Sequence, residues 1–175
     1  NAGERVGCGV TSPRGNNNPS SSRASVSPLA FLRAVKKAGL KNFDAWAHHP
    51  YYAGPSDQPT TKPVTAKGAP ATAVTLGNIS DLIREVTRLY GNKRIWITEY
   101  GYQTNPPDRL FGVSWARQAA YLAQAFGIAR KSPRIDMMLW FLLKDEAGLG
   151  GWQSGLLTIN NKKKPSFTAF QRLKH

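Results

Sequence analysis

Four short apolar segments, each followed by a helical pattern, constrain the fold of this chain more than any other feature of its sequence. The segments are rich in β-branched and aromatic residues, which predicts buried strands, and they occupy residues 6–10, 43–47, 95–97 and 135–143. Apolar residues spaced three and four apart predict a helix after each strand, over about residues 27–39, 78–91, 113–130 and from 165 onward. Alternating strands and helices predict an α/β fold with a parallel sheet.

The loops that follow the strands are longer than a bare strand–helix unit of about 30 residues requires. In a (β/α)8 barrel such loops form the functional face. Four parallel strands cannot close a barrel, and an open sheet would expose unpaired edges. We therefore interpret residues 1–175 as one domain that supplies strands 5 to 8 of a TIM-barrel (β/α)8 fold. A small doubly wound α/β domain is the structural alternative.

The third apolar segment ends in a carboxylate. The run Ile95–Ile97 is followed by Thr98 and Glu99, and Gly101 permits a sharp exit from the strand. α/β folds build their active sites at the carboxyl ends of parallel strands. A carboxylate there is costly to bury unless it is paired or used. Glu99 is therefore a candidate catalytic residue, with a salt-bridged glutamate at a strand end as the alternative.

The charge of the chain is strongly basic, with 24 Lys and Arg against 10 Asp and Glu and a net charge of +14. The basic residues are scattered, and Lys162–Lys164 is the only run of three. Nucleic-acid binders usually gather such charge on one element beside a recognisable motif, so no nucleic-acid partner is expected. Two readings stay open, a solvated basic surface and attraction to an anionic polymer or cell surface.

Several other classes of protein and site are disfavoured by the sequence. No apolar run reaches 18 residues, so no membrane span is expected. Cys8 is the only cysteine, which excludes an internal disulfide and favours a small core residue. The three histidines lack metal-binding spacing and no Gly-rich phosphate loop occurs, so we expect no metal and no cofactor.

Four motifs resemble the retaining (β/α)8 glycoside hydrolases of clan A, in the order in which that family carries them. Trp-Ile-Thr-Glu-Tyr-Gly at 96–101 resembles the seventh strand, and His-Pro-Tyr at 49–51 resembles the end of the sixth. Leu-Trp-Phe at 139–141 resembles the eighth strand, and Lys-Pro-Ser-Phe-Thr-Ala-Phe at 164–170 resembles the opening of the last helix. The cellulase and β-xylosidase branches are the most similar. The resemblance implies the C-terminal half of an enzyme that hydrolyses O-glycosidic bonds of a poly- or oligosaccharide.

The resemblance also implies residue roles. Glu99 would be the nucleophile, Tyr51 would donate a hydrogen bond to it, and Trp140 would form the floor of the sugar subsite. His49 is assigned to substrate contact, with a purely structural hydrogen bond as the alternative. Further residues assigned to the substrate cleft are Tyr100, Tyr102 and Trp152, the last being equally well explained as a loop anchor.

One expected catalytic group is missing from the sequence. The acid/base of the family is a glutamate that follows asparagine on the fourth strand, and this chain has no Asn-Glu pair. Of its carboxylates, Asp44 and Asp136 lie near strand starts, and only Asp145 and Glu146 are placed to reach Glu99. We therefore expect the acid/base on an absent N-terminal half.

This absence sets the expectations for partners and activity. The chain is expected to pair with the missing half or with a second copy, and to be inactive alone. Its substrate would be a carbohydrate, anionic if the net charge serves binding, and its location would be secreted. The functional alternative is a carbohydrate-binding barrel relic without catalysis.

Overall fold

The computed structural model describes residues 3–64 and 71–173 and contains one parallel four-stranded sheet flanked by helices. The strands are β1 (Gly7–Thr11), β2 (Ala45–His48), β3 (Arg94–Tyr100) and β4 (Ile135–Trp140). The helices are α1 (Pro28–Lys37), α2 (Ile79–Tyr90), α3 (Trp115–Arg130) and α4 (Pro165–Gln171), and a 3-10 turn at Leu76–Asn78 leads into α2. The predicted α/β class and the order of its elements are confirmed.

The order of the strands in the sheet follows the chain, β1-β2-β3-β4, and all neighbouring pairs are parallel. A doubly wound sheet reverses its strand order at a switch point, and the described strands contain no such reversal. A sequential parallel order is also the order of a sector of a β/α barrel. β1 and β4 are the outermost strands of the described sheet.

The helices begin at sequence signals for N-termini. Pro28 opens α1 after Ser27, and the Ser114 hydroxyl accepts a hydrogen bond from the Arg117 N–H at the start of α3. Ser27 occupies the N-cap position as predicted, but its hydroxyl donates to the Thr72 hydroxyl at 2.7 Å instead of capping the helix. Its side chain therefore ties α1 to a later loop.

The core lies between the sheet and helices α1, α2 and α3, and Trp46 is its largest fully buried side chain. The Trp46 side chain has no exposed surface, and the predicted core role is confirmed. Gly9 has a φ of +102°, and a Cβ on it would lie 2.6 Å from the Trp46 ring. A larger residue at position 9 would therefore displace the ring as well as strain the backbone. Cys8 is half-buried and packs against this core, in keeping with its predicted structural role.

The carboxylates near the amino ends of the strands have polar partners at that same end of the sheet. The Asp136 carboxylate lies 3.1 Å from Arg5 and 3.8 Å from Arg94. The Asp44 carboxylate accepts the N–H of Val6 at 2.7 Å. Both carboxylates lie toward the amino ends of their strands, as the sequence indicates. Across the described ranges, no helix is long and apolar enough to cross a bilayer.

Candidate active site

The carboxyl ends of β2, β3 and β4 bring the candidate residues together. His49 and Tyr51 directly follow β2, and Glu99 is the penultimate residue of β3. The segment after β4 carries Phe141 and Trp152. Because parallel strands end at the same edge of a sheet, residues distant in sequence meet there.

The Glu99 carboxylate contacts both residues from the β2 loop. The Tyr51 hydroxyl donates to Glu99 Oε2 at 3.2 Å, and His49 Nδ1 lies 3.3 Å from the same oxygen. The Glu99 side chain is 34% exposed, so solvent and ligands reach it despite these partners. Glu99 is therefore a held but accessible carboxylate. Among the described residues, it forms no ion pair with a Lys or Arg.

A register shift in the β3–β4 pairing, between Ile97 and Tyr100, lies at the same place. His49 uses its two ring nitrogens on consecutive β3 residues, with Nε2 2.9 Å from the Thr98 hydroxyl and Nδ1 near Glu99. In a regular strand, consecutive side chains point to opposite faces. The register shift therefore occurs where two neighbouring side chains, Thr98 and Glu99, both contact the His49 ring.

The two histidines have different environments, as their alternation along a strand predicts. His48 is fully buried between the Thr11 hydroxyl and the Val74 carbonyl, and burial lowers the pKa of His48 to about 4. Burial also lowers the pKa of His49, against an opposing effect of the Glu99 charge. His49 is therefore the histidine at the site, and at neutral pH its ring is uncharged. With its proton on Nδ1, the ring directs an N–H toward the carboxylate.

Aromatic rings form a wall beside Glu99. The Tyr51 ring stacks on the Trp152 ring with centroids 6.0 Å apart and an interplanar angle of 24°. Phe141 meets both rings edge-on, at 6.5 Å from Tyr51 and 5.7 Å from Trp152. Trp152 is 45% exposed, so one part of its ring anchors the loop and another part faces outward. The interpretation of Trp152 as a sugar platform stays a prediction.

Trp140 is half-buried at the end of β4 and contacts the site's supporting layer. Its indole N–H donates to the Ser154 carbonyl at 2.9 Å, and its ring meets Tyr100 edge-on at 6.3 Å. The first contact ties the end of β4 to the loop that carries Trp152. The proposed floor position of Trp140 stays a prediction.

Tyr100 and Tyr102 require a correction, because the sequence assigned both to the substrate cleft. Their exposed fractions are 1% and 0%, which leaves no surface for a substrate. The Tyr102 hydroxyl donates to the Asp57 carbonyl at 2.9 Å, and the Tyr102 ring stacks on Tyr52 at 4.1 Å. Burial raises the pKa of both phenols, which therefore stay protonated. The two residues support the wall from behind.

The two carboxylates after β4 are engaged in structure. Asp145 is buried and lies 2.8 Å from Lys164 Nζ, and it also accepts the N–H of Gly155. Glu146 accepts the N–H of Trp152 at 2.7 Å. Both residues therefore hold the loop between β4 and α4. Asp145 is engaged by the Lys164 ammonium group and the Gly155 N–H, which opposes its use as a substitute acid.

The sequence analysis missed two residues of the cleft, Tyr52 and Phe111. Together with Tyr51, Gln103 and Trp152, they line a cavity of about 250 Å³ beside the Glu99 centre. Tyr52 directly follows Tyr51 in the sequence, and this position indicates that it lies near the cleft. Phe111 lies in an irregular loop, where no periodicity indicates which way a side chain points. Over residues 3–64 and 71–173, no group of three or more His, Cys, Asp or Glu residues is arranged to hold a metal ion.

Comparison with solved structures places the fold among glycoside hydrolases. A family 39 glycoside hydrolase from Bacteroides cellulosilyticus matches with a TM-score of 0.59 and 23% identity, over 79% of this chain and 28% of that one. A family 128 endo-β-1,3-glucanase from Amycolatopsis mediterranei matches with a TM-score of 0.57 and 20% identity, over 98% and 59%. A β-glucuronidase from Bifidobacterium dentium matches with a TM-score of 0.52 and 18% identity, over 74% and 20%.

These identities are low, so the likeness concerns the fold. The chain spans between 20% and 59% of the length of these three proteins. No protein-family model and no curated protein matches the chain. The chain therefore shares its fold with solved glycoside hydrolases.

Proposed function

We propose that this chain is the C-terminal half of a (β/α)8 glycoside hydrolase that cleaves O-glycosidic bonds of a poly- or oligosaccharide with retention. Glu99 is the nucleophile, and the acid/base lies on the N-terminal half of the barrel. The observation that carries the proposal is the one-third exposed Glu99 carboxylate, held by Tyr51 and His49 at the carboxyl end of β3. The fold shared with glycoside hydrolases supports it independently.

The local chemistry suits a carboxylate nucleophile. In a retaining enzyme, one carboxylate attacks the anomeric carbon while a second group, about 5–5.5 Å away, protonates the leaving oxygen. Tyr51 donates to the Glu99 charge, and its own pKa is raised by burial and by that charge, so it stays a donor. The pKa of His49 is lowered by burial, so its ring does not neutralise the nucleophile at neutral pH. Both neighbours therefore hold the Glu99 carboxylate at the cleft without adding a charge of their own.

The substrate is a carbohydrate whose rings pack on the aromatic wall of Tyr51 and Trp152. The endo-β-1,3-glucanase that matches 98% of this chain is described in complex with laminaritriose and laminaribiose. β-1,3-Glucan is accordingly the first substrate to test. A polymeric substrate also favours a secreted enzyme, and we propose that location on this ground alone.

The test is a pair of substitutions at Glu99 in the complete protein. Glu99→Gln should lower turnover by several orders of magnitude with little change in substrate binding, because it removes the attacking charge but preserves shape. Glu99→Ala in the presence of azide should yield a glycosyl azide of inverted configuration, since azide enters from the face that Glu99 vacates. Glu4→Gln, which precedes β1 near the amino ends of the strands, is the control and should keep the wild-type rate.

Two outcomes would overturn the proposal. Near-normal turnover of Glu99→Gln would remove Glu99 from the nucleophile role. A complete wild-type protein that binds glycans without hydrolysing any of them would favour a non-catalytic carbohydrate-binding barrel relic.

A further inference from the structure

A second cavity extends the cleft away from Glu99. It has a volume of about 490 Å³ and shares three lining residues, Gln103, Phe111 and Trp152, with the cavity beside the catalytic centre. Its outer part is lined by Arg109 and Leu149, among others. The two cavities therefore form one continuous groove, which is called the extension groove below.

The inner wall of the extension groove is fixed by hydrogen bonds along the loop between β3 and α3. Asp108 Oδ1 accepts the N–H groups of Leu110 and Phe111, at 2.8 and 3.0 Å. The Tyr52 hydroxyl donates to the Phe111 carbonyl at 3.4 Å. The backbone that carries the Phe111 ring is thus held on both sides, although the residue is 45% exposed.

Exposed apolar side chains gather along this groove. Leu110 is 72% exposed, Leu149 is 69% exposed, and Phe111 and Trp152 are each 45% exposed. Single exposed apolar residues are ordinary, but a group of them bordering one groove marks a binding surface. Nothing in the packing of the core requires these four residues to face outward.

The groove contains little of the chain's charge. Among the described residues that line its two cavities, Arg109 is the one cation and Asp108 is the one anion. Asp108 is used by the loop itself. A site that collects the carboxylates of an anionic polymer needs several cations along its length, whereas this groove offers aromatic and aliphatic surface.

We propose that the extension groove binds further sugar units of an uncharged glycan, so that the substrate is a neutral poly- or oligosaccharide. Phe111 and Trp152 provide ring surfaces on which successive C–H faces of the sugars pack. The proposal rests on the proposed function, since it extends the same site. It assigns the net charge of +14 to surface outside this groove.

The first test compares long and short substrates in the complete protein. Phe111→Ala should lower the ratio of activity on laminarin to activity on an activated aryl monoglycoside by roughly 3–10-fold, the size of a lost ring contact. Leu149→Ser should lower the same ratio because the groove loses apolar surface. Val64→Ala is the matched control, because Val64 is 98% exposed and lies outside the groove. An unchanged ratio in Phe111→Ala and Leu149→Ser would overturn the proposal.

The second test measures binding without catalysis, so that it remains informative if the proposed reaction fails. In gel electrophoresis with embedded polysaccharide, laminarin should retard the wild-type protein and Val64→Ala equally, and Phe111→Ala less. Retardation by polygalacturonate alone, abolished by Arg109→Gln, would overturn the neutral class of substrate. Loss of turnover with retained laminarin binding that still depends on Phe111 would refute the proposed function but support the groove.

Discussion

At the scale of single residues, the candidate site depends on how one carboxylate is held and kept accessible at a strand end. The Tyr51 hydroxyl and His49 Nδ1 reach the same oxygen of Glu99, at 3.2 and 3.3 Å. Both neighbours are uncharged at neutral pH, because burial raises the pKa of the Tyr51 phenol and lowers the pKa of the His49 imidazole. The Glu99 carboxylate therefore has two uncharged neighbours, in contrast to Glu85, which is ion-paired with Arg33 and Arg88.

The contribution of the Tyr51 hydroxyl can be measured with Tyr51→Phe in the complete protein. The substitution removes a hydrogen bond to a charged group and keeps the ring that stacks on Trp152. We expect turnover to fall about 10–100-fold, which corresponds to a hydrogen bond worth about 1.5–3 kcal/mol, with a smaller change in KM.

Tyr90→Phe is the matched control for this substitution. The Tyr90 hydroxyl is buried and has no hydrogen-bond partner among the described residues. Its removal should leave turnover unchanged. Equal rates for Tyr51→Phe and Tyr90→Phe would show that the Tyr51 hydroxyl has no role at Glu99.

At the scale of structural elements, a buried lysine joins the loops after β3 and β4. Lys164 is 1% exposed, and its ammonium group donates to the Thr104 hydroxyl at 2.8 Å and to the Asp145 carboxylate at 2.8 Å. It also donates to the Gln153 carbonyl at 3.1 Å, next to Trp152. The loop that carries the Trp152 ring is therefore anchored to the loop that follows Glu99.

The importance of this anchor is tested by Lys164→Met. The substitution leaves the buried Asp145 carboxylate without its counter-charge, and breaking one side of such a pair costs about 3–5 kcal/mol of the free energy of unfolding. Denaturant unfolding monitors the loss, and weaker glycan binding should accompany it as Trp152 loses its support. Lys163→Met is the matched control, because Lys163 is exposed and lies over the Phe167 ring.

A second variant separates charge from packing at the same position. In Lys164→Met/Asp145→Leu no unpaired charge remains, so much of the lost stability should return. If Lys164→Met unfolds at the same denaturant concentration as Lys163→Met, the ion pair does not stabilise the loops.

The strands and helices were predictable from the sequence, but the contacts between loops were not. Periodicity locates β3 and its neighbours because each buries a regular face. It does not reveal that Lys164 reaches Thr104, since that pairing joins irregular segments 60 residues apart. Closeness to Glu99 in the sequence predicts that Tyr100 and Tyr102 line the cleft, but both side chains are buried behind it. The register shift between Ile97 and Tyr100 breaks the regular alternation of the strand, so alternation does not predict which side chains near Glu99 reach the cleft.

At the scale of the whole molecule, the described sheet has two unpaired outer strands. Val10 of β1 is 55% exposed and Leu139 of β4 is 49% exposed. Beside β4, a cavity of about 230 Å³ is lined by Phe126, Ile135 and Met137, among others. Exposed strand edges and apolar surface of this kind favour association. In the proposed barrel, the N-terminal half would cover both edges.

The last prediction concerns residues 1–175 as an isolated chain. If the acid/base lies on the other half, the isolated chain should not hydrolyse natural glycosides, because general acid catalysis contributes about 10²–10⁴-fold and an alkoxide leaves poorly without it. An activated aryl glycoside needs less assistance and should react slowly if Glu99 is correctly held. Adding a separately produced N-terminal half should form a one-to-one complex by native mass spectrometry and restore hydrolysis of natural substrates. An isolated chain that remains monomeric and turns over natural glycosides at normal rates would show that these residues contain their own acid. Asp145 and Glu146 would then be the candidate acids. Asp145 would have to release Lys164, and Glu146 would have to release the Trp152 N–H.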